Sequence, residues 1–263
     1  MGTVSPEHLV IDPLSPFGKE EIEQHPGLKA IATASTGTDH IDFDACEEAG
    51  IKVYCLLDDR EALAEIRASS EFTFMAILMG LRRIDRVIGT TDRREAGHEL
   101  YGKRVGIIGL GRIGGNIRRW CSAFGADVVY CDPYLENKPS IHLESVFAFS
   151  DIVCITCSLT EETAHMIDYS LLKTLKRNAV LVNTSRGAVI NERDLEQILH
   201  ERPDITAVLD VLENELDKER YVQSPLWWRK NCIITPHIAG YTVESNAKAN
   251  VIAERLLYTK EDG

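Results

Sequence analysis

The sequence predicts an α/β protein built on a doubly wound parallel sheet (a Rossmann-type arrangement), with a second, smaller α/β domain. Short apolar runs alternate with helical stretches along almost the whole chain. After residue 100 the runs are nearly continuous in apolar residues: RVGIIG (104–109), DVVYCD (127–132), DIVCIT (151–156), AVLVNT (179–184), ITAVLD (205–210) and CIIT (232–235). That composition belongs to strands buried on both faces and joined by helices. A shorter series before residue 69 reads as a domain of its own.

Taken in order, HLVID (8–12), KAIATA (29–34) and IKVYC (51–55) are strands. Between them FGKEEIEQ is helical, and DFDACEEAG is a helix stopped by Gly50. Three strands are therefore expected before the next long element. SEFTFMAILMGLRRIDRVIG, from Ser70 to Gly89, is expected to be one long helix. It is apolar on more than one face, so it should pack on two sides, one of them against a second subunit. RIGGNIRRWCSAFG follows the first strand of the second series, with Gly125 in the usual C-terminal capping position. The last helix, VESNAKANVIAERLLYT, is expected to return to the first domain. The expected limits are 1–69 plus 241–263 for the smaller domain and 70–240 for the larger.

Bulk properties exclude several classes of function. The 263 residues are 44% hydrophobic, enough for one large or two modest cores. No apolar run approaches the roughly 18 residues of a membrane helix, and MGTVSPEHLVID lacks the marks of a signal peptide. The formal net charge is −12, and basic residues cluster only in pairs (Arg82-Arg83, Arg93-Arg94, Arg118-Arg119). Nucleic acid and anionic membranes are poor partners for such a surface; a small molecule is the better one. The seven cysteines are scattered, four of them in apolar segments, and CITC (154–157) reads as strand rather than metal knuckle. No metal site is expected, and reduced thiols suit a cytoplasmic protein.

GIIGLGRIGG (106–115) holds Gly109, Gly111 and Gly114 in a GxGxxG pattern. Alone the triplet is weak. Here a strand precedes it, a helix follows it, and a second strand ends in Asp132, 18 positions after Gly114. That is close to the spacing of a ribose-binding acid. Gly109 permits the turn, Gly111 lets a pyrophosphate reach the backbone, and Gly114 lets the helix approach the sheet. A carboxylate at Asp132 would accept the ribose hydroxyls and repel a 2′-phosphate. Pro133 and Tyr134 follow, with no arginine to receive that phosphate. NAD is expected rather than NADP.

Ligands of open α/β sheets lie beyond the C-terminal strand ends. The residues following those ends are Arg186, Asp210, Glu215 and His237. Singly, each has a plain explanation: a surface ion pair, solvated loop acids, a packed histidine. Together on the edge that holds a dinucleotide loop, they match hydride chemistry on a 2-keto acid. Arg186 can grip the carboxylate and carbonyl. His237 can give or take a proton near neutral pH. Glu215 can orient it, and Asp210 can bond the nicotinamide amide.

These residues carry a resemblance to the D-isomer-specific 2-hydroxyacid dehydrogenases. GLGRIG resembles the family's cofactor loop, LVNTSRGAVINERDL its arginine motif, LDVLENE its acidic motif and TPHIAGYT its histidine motif. The resemblance implies a catalytic trio of His237, Glu215 and Arg186. It implies cofactor contacts at Gly109, Gly111, Arg112, Ile113, Gly114, Asp132, Thr184 and Asp210. STGTDHID (35–42) is similar to the loop whose amides hold the substrate carboxylate, here Ser35, Thr36 and Gly37. SEFTFMAILMGLRRI resembles the interdomain helix that contributes to dimers, so a homodimer is expected. The smaller domain would be flavodoxin-like and shortened, since the family usually has five strands there. DPLSP lacks the basic residue that several members place against substrate, which argues against a phosphorylated one. The implied activity is hydride transfer between NAD(H) and a D-2-hydroxy acid/2-keto acid pair. The rival is a non-catalytic NAD(H)-responsive binding protein on the same fold.

Overall fold

The structure is a computed structural model, and it describes residues 2–89, 91, 96–135 and 140–259. The Arg93-Arg94 pair lies outside them. The chain divides into two compact units, Met1–Arg67 with Gly240–Gly263, and Ala68–Ala239.

The first unit is a four-stranded sheet in the order β1-β2-β3-β4. Its strands are β1 (Gly2–Ser5), β2 (His8–Ile11), β3 (Ala30–Thr33) and β4 (Lys52–Tyr54). β2, β3 and β4 are parallel, whereas β1 runs antiparallel to β2. The sequence suggested three strands here; the fourth, GTVS, has one large apolar residue and no alternation to betray it. It owes its place to a tight return through Pro6 and Glu7. Side chains of β2 and β3 alternate between faces, as strands require. Leu9, Ile11 and Ile31 pack with Phe17, Ile41 and Cys46, near α1 (Lys19–Glu23) and α2 (Phe43–Glu48). Asp42 caps α2 by accepting the Ala45 N–H at 3.0 Å. Val10, Ala30 and Ala32 face the other way and pack with Ala253 and Leu257. Those two lie on the long C-terminal helix (Val243–Thr259), whose buried positions 249, 252, 253, 256 and 257 make one stripe. A short helix, α3 (Arg60–Leu63), adds Leu63 to that stripe.

The second unit opens with α4 (Ala68–Leu81) and α5 (Ile84–Val87). The single helix expected over 70–89 is thus two. Arg83 adopts a left-handed φ of 52° between them, and its guanidinium Nη1 donates to the Asp204 carbonyl at 2.9 Å. His98 N–H caps the Leu81 carbonyl at the helix end, at 2.7 Å. These long-range bonds stop a helix that local sequence would continue.

The strands that follow are β5 (Arg104–Ile108), β6 (Asp127–Cys131), β7 (Ile152–Ile155), β8 (Val180–Asn183), β9 (Thr206–Leu209) and β10 (Cys232–Ile234). They form a fully parallel six-stranded sheet in the order β10-β9-β8-β7-β5-β6. Between them come α6 (Arg112–Ala123), α7 (Leu143–Phe149), α8 (Tyr169–Leu172), α9 (Glu192–Glu201) and α10 (Lys218–Gln223); the C-terminal helix is α11. On one face Val105, Ile107, Ile152, Cys154, Val180, Val182 and Val208 pack against Ala76 and Ile77 of α4 and Ile117 and Cys121 of α6. On the other, Ile108, Val153, Ile155, Leu181, Ala207 and Leu209 pack against α7, α8 and α9. Burial on both faces explains the unbroken apolar runs and gives the doubly wound fold the sequence predicts. Gly125 follows α6 with φ 80°, in the capping position anticipated for it. The strand order turns back at β5, so β5 ends at the sheet's switch point, where such folds bind ligands.

Candidate active site and dinucleotide loop

The glycine loop begins where β5 ends. Gly109 has φ 86°, and a Cβ there would lie 2.7 Å from the Cys157 Cα. A Cβ on Gly114 would meet the Gly109 carbonyl oxygen at 2.2 Å. Both positions therefore exclude larger residues. Above Gly111 and Gly115 a Cβ would meet nothing within 4 Å, so the loop is closed towards the sheet and open on the other side. Thr156, at the end of β7, donates its hydroxyl to the Gly109 carbonyl at 2.6 Å and braces the turn. No motif in the sequence marks that brace.

Gly111 is the N-cap of α6, with no side-chain cap and no acid in the first turn. The first N–H groups, on Arg112, Ile113 and Gly114, consequently lack intrahelical acceptors and sit at the positive end of the helix dipole. Arg112 is half-buried, and burial draws its guanidinium below the usual range for arginine. Asp132 follows β6. One of its oxygens accepts the Leu110 N–H at 2.8 Å and the other the Tyr134 N–H at 3.1 Å. The acid is thereby fixed to the loop, with lone pairs left for ribose hydroxyls. An anion-seeking helix end, an open glycine backbone and a neighbouring carboxylate fit the pyrophosphate and ribose of a dinucleotide.

Because the strands are parallel, β8, β9 and β10 end on this same edge of the sheet. Asn183, 1% exposed, ends β8. Its Oδ1 accepts both the Ser185 N–H and the Ser185 hydroxyl at 3.0 Å, and its amide donates to the Arg186 carbonyl at 3.0 Å. This side-chain turn presents Arg186, which is half-buried and donates from Nη1 to the Ser185 carbonyl at 2.8 Å. Next to it, Gly187 lies flat on the following loop: a Cβ would meet the Leu212 carbonyl carbon at 2.0 Å. Thr184 is 8% exposed and hydrogen-bonds Thr73 of α4 at 2.7 Å. Thr73 gives its own proton to the Ser69 carbonyl, at 2.6 Å, so Thr184 is the donor of that pair.

β10 runs into Thr235, Pro236 and His237. His237 has a left-handed φ of 52°, a strained state for a residue with a Cβ, costing about 1 kcal/mol or more. What holds it there is Asp210, at the end of β9. The Asp210 carbonyl accepts the His237 N–H at 2.8 Å. The Asp210 carboxylate accepts the Thr235 hydroxyl at 2.6 Å, the Ile238 N–H at 2.9 Å and the Ala239 N–H at 2.7 Å. It is 1% exposed, and burial raises it above the ordinary carboxylate range against those bonds. Expected from sequence to meet the cofactor, the Asp210 side chain spends these bonds on the loop that carries His237.

The outcome is a His237–Glu215 pair, Nδ1 to Oε1 at 2.8 Å. Side-chain exposures of 27% and 14% leave the imidazole accessible and the carboxylate sheltered. The second Glu215 oxygen is buried and has no hydrogen-bond partner among the described residues. Glu215 can only accept, so Nδ1 of His237 carries the proton and Nε2 is the nitrogen left to react. Neutral, that nitrogen is a base; protonated, an acid. Ser35, Thr36 and Gly37 lie in the other unit, directly after β3, with the Ser35 carbonyl accepting the Leu56 N–H at 3.0 Å. The Thr36 and Gly37 amides donate to no acceptor among the described residues.

Fold and site together define a dinucleotide-binding α/β protein with an acid–base pair on the same sheet edge. The family model for the D-isomer specific 2-hydroxyacid dehydrogenase, NAD binding domain, matches residues 74–239. The chain belongs to this family of NAD-dependent enzymes, and its cofactor is NAD. It is 33% identical to a D-3-phosphoglycerate dehydrogenase of Methanocaldococcus jannaschii, over 94% of this chain but 48% of that one. With a glyoxylate reductase of Korarchaeum cryptofilum it shares 32% identity, over 93% of this chain and 77% of the relative. It is also similar to a crystal structure of D-lactate dehydrogenase from Aquifex aeolicus complexed with NAD and lactic acid. There the TM-score is 0.82 at 27% identity, covering 98% of this chain and 83% of the other. The chain thus spans about half the length of the first of these relatives and about three quarters or more of the others.

Proposed function

We propose that the protein interconverts a small D-2-hydroxy acid and its 2-keto acid, with the site residues in the roles their chemistry suits. The observation that carries the proposal is the 2.8 Å bond between His237 Nδ1 and Glu215. It fixes the tautomer and leaves Nε2 to handle a proton. A protein that only sensed NAD(H) would have no use for that pair.

In the reducing direction, bound NADH supplies the hydride to the carbonyl carbon. Protonated His237 gives its Nε2 proton to the carbonyl oxygen, which becomes the hydroxyl of the product. Glu215, bonded to Nδ1, holds the ring so that Nε2 faces the carbonyl oxygen. In oxidation the neutral imidazole takes the hydroxyl proton back. Arg186 holds the substrate carboxylate and polarises the carbonyl, joined by the amides of Ser35, Thr36 and Gly37. Gly109, Gly111, Arg112, Ile113 and Gly114 bind the pyrophosphate, and Asp132 the adenosine ribose. Thr184 and Asp210 line the nicotinamide end. The unit of residues 1–67 and 240–263 serves as the substrate domain. Homodimerisation through α4, where Met75 is 43% exposed, and a cytoplasmic location complete the proposal; a monomeric mass by light scattering would reject the dimer.

The first test is NADH oxidation with a panel of 2-keto acids. His237→Ala should lower kcat about 100-fold or more. Arg186→Ala should lower kcat/KM by a similar factor, largely through KM. Turnover that survives both changes would sink the assignment of the site.

A further inference from the structure

Beneath the loop of residues 35–37 lies a chain of hydrogen bonds that ends on a buried histidine. Thr33, the last residue of β3, is fully buried, and His40 is 6% exposed. His40 Nε2 lies 3.1 Å from Thr33 Oγ1, and Thr33 Oγ1 lies 3.1 Å from Ser35 Oγ. The Ser35 hydroxyl in turn meets the Gly37 carbonyl oxygen at 2.6 Å.

Counting protons fixes the direction of every bond. A carbonyl only accepts, so Ser35 gives its single hydroxyl proton to Gly37. Ser35 must then accept from Thr33, which uses up the single proton of Thr33. Thr33 must accept from His40, and Nε2 of His40 therefore bears hydrogen. The order runs His40 Nε2–H, Thr33 O–H, Ser35 O–H, Gly37 C=O, with no alternative arrangement available. Both the neutral Nε2–H tautomer and the imidazolium satisfy it.

The last bond has a consequence for the loop's outer side. The described peptides are trans, and in a trans peptide the N–H points opposite to the C=O. Pinning the Gly37 carbonyl inward turns the Thr38 N–H of the same peptide outward. The Leu56 N–H meanwhile fixes the Ser35 carbonyl from β4's side, at 3.0 Å. The amides of Thr36 and Thr38, neither of which donates to an acceptor among the described residues, are thus each held in a fixed orientation.

We infer that His40 is a positioning residue for substrate: through Thr33 and Ser35 it fixes the Gly37–Thr38 peptide, and with it the Thr38 amide at the edge of the loop that receives the substrate carboxylate. The inference rests on the proposed dehydrogenase reading, which gives that loop its ligand, and it adds Thr38 to the amides that face it. His40 itself touches no reacting atom.

The experiment compares wild type with His40→Leu and His40→Gln in steady-state reduction of the best keto acid of the panel. Leucine fills space but donates nothing; glutamine offers an N–H near the position of Nε2. Expected for His40→Leu is a KM for the keto acid raised about tenfold, the factor for one lost oriented contact. kcat should stay within about threefold and KM for NADH should not change. Glutamine should recover most of the loss. Thr33→Val against Thr33→Ser repeats the comparison one link along, should His40→Leu fold poorly. An unchanged KM in both His40→Leu and Thr33→Val would overturn the inference, as would equal KM values for the leucine and glutamine variants. Wild type that reduces no keto acid would instead overturn the reading beneath it, so the two failures are distinct.

Discussion

Asp210 shows how one buried side chain can set the stereochemistry of another. Its three hydrogen bonds to Thr235, Ile238 and Ala239 offset only part of its own desolvation while they hold the positive φ of His237. Removing the charge while keeping the shape separates these effects. In Asp210→Asn one oxygen becomes an amide that must face a backbone N–H, at either Ile238 or Ala239. The loop has to move and His237 relaxes from φ 52°. The linkage sign follows from the raised value of Asp210: the folded state holds its proton more tightly than the unfolded chain. The charged carboxyl therefore weakens the fold as pH rises through the interval above the ordinary aspartate value, and asparagine is free of that loss. Asp210→Asn should lower kcat at pH 7 about 10-fold or more, since a displacement of about 1 Å at a catalytic group costs that much or more. Its melting temperature, relative to wild type, should improve from pH 4 to pH 7. An unchanged kcat would show that His237 does not depend on this anchor.

At the level of elements, the loops after β8 and β9 are fitted to each other backbone to backbone. Gly187 leaves 2.0 Å between a would-be Cβ and Leu212, and the two segments exchange reciprocal bonds between Glu192 and Glu213, at 2.9 and 3.4 Å. Arg186 and Glu215 are carried by this joint. Gly187→Ala cannot be accommodated without parting the loops. It should destabilise the fold by about 1–3 kcal/mol, the usual range for overpacking, and lower kcat/KM as Arg186 moves. Equilibrium urea unfolding and steady-state kinetics on the same sample would test both, and full activity at normal stability would refute the joint. None of this was legible in the sequence, where Glu192 and Glu213 are two ordinary acids 21 positions apart. The strands and most helices were legible, because burial on both faces of the sheet leaves unbroken apolar runs. So was the candidate site, because a parallel sheet sends every strand end to one edge. β1 escaped because GTVS carries no periodicity, and the break after α4 because its cause lies at Asp204 and His98. Thr156, Asn183 and His40 escaped for a related reason: each acts through hydrogen bonds that only the folded chain closes.

For the molecule as a whole, the units are unequal in how the chain builds them. Everything the six-stranded sheet needs, strands and covering helices alike, lies within residues 68–239. The smaller unit takes its sheet from residues before 67 and its principal helix, α11, from residues after 240. Ile252, Leu256 and Leu257 of α11 are each no more than 4% exposed, and burial of such a side chain is worth about 1.5–3 kcal/mol. Three of them amount to a large share of the roughly 5–15 kcal/mol that holds a domain folded. A chain ending at Ala239 should therefore lose the smaller unit and keep the larger one. The face formed by Val10, Ala30 and Ala32 would lie open, so the truncated chain should bind an apolar dye and be cut by protease within residues 1–67. Its NADH affinity, read by fluorescence titration, should stay within about fivefold (roughly 1 kcal/mol) of the full chain, because Gly109, Asp132 and α6 all belong to the larger unit. Keto-acid reduction should vanish, since Ser35, Thr36 and Gly37 would have no folded unit to carry them. Loss of NADH binding together with the smaller unit would contradict the independence of the larger one, and protease resistance across residues 1–67 would contradict the dependence of the smaller unit on α11.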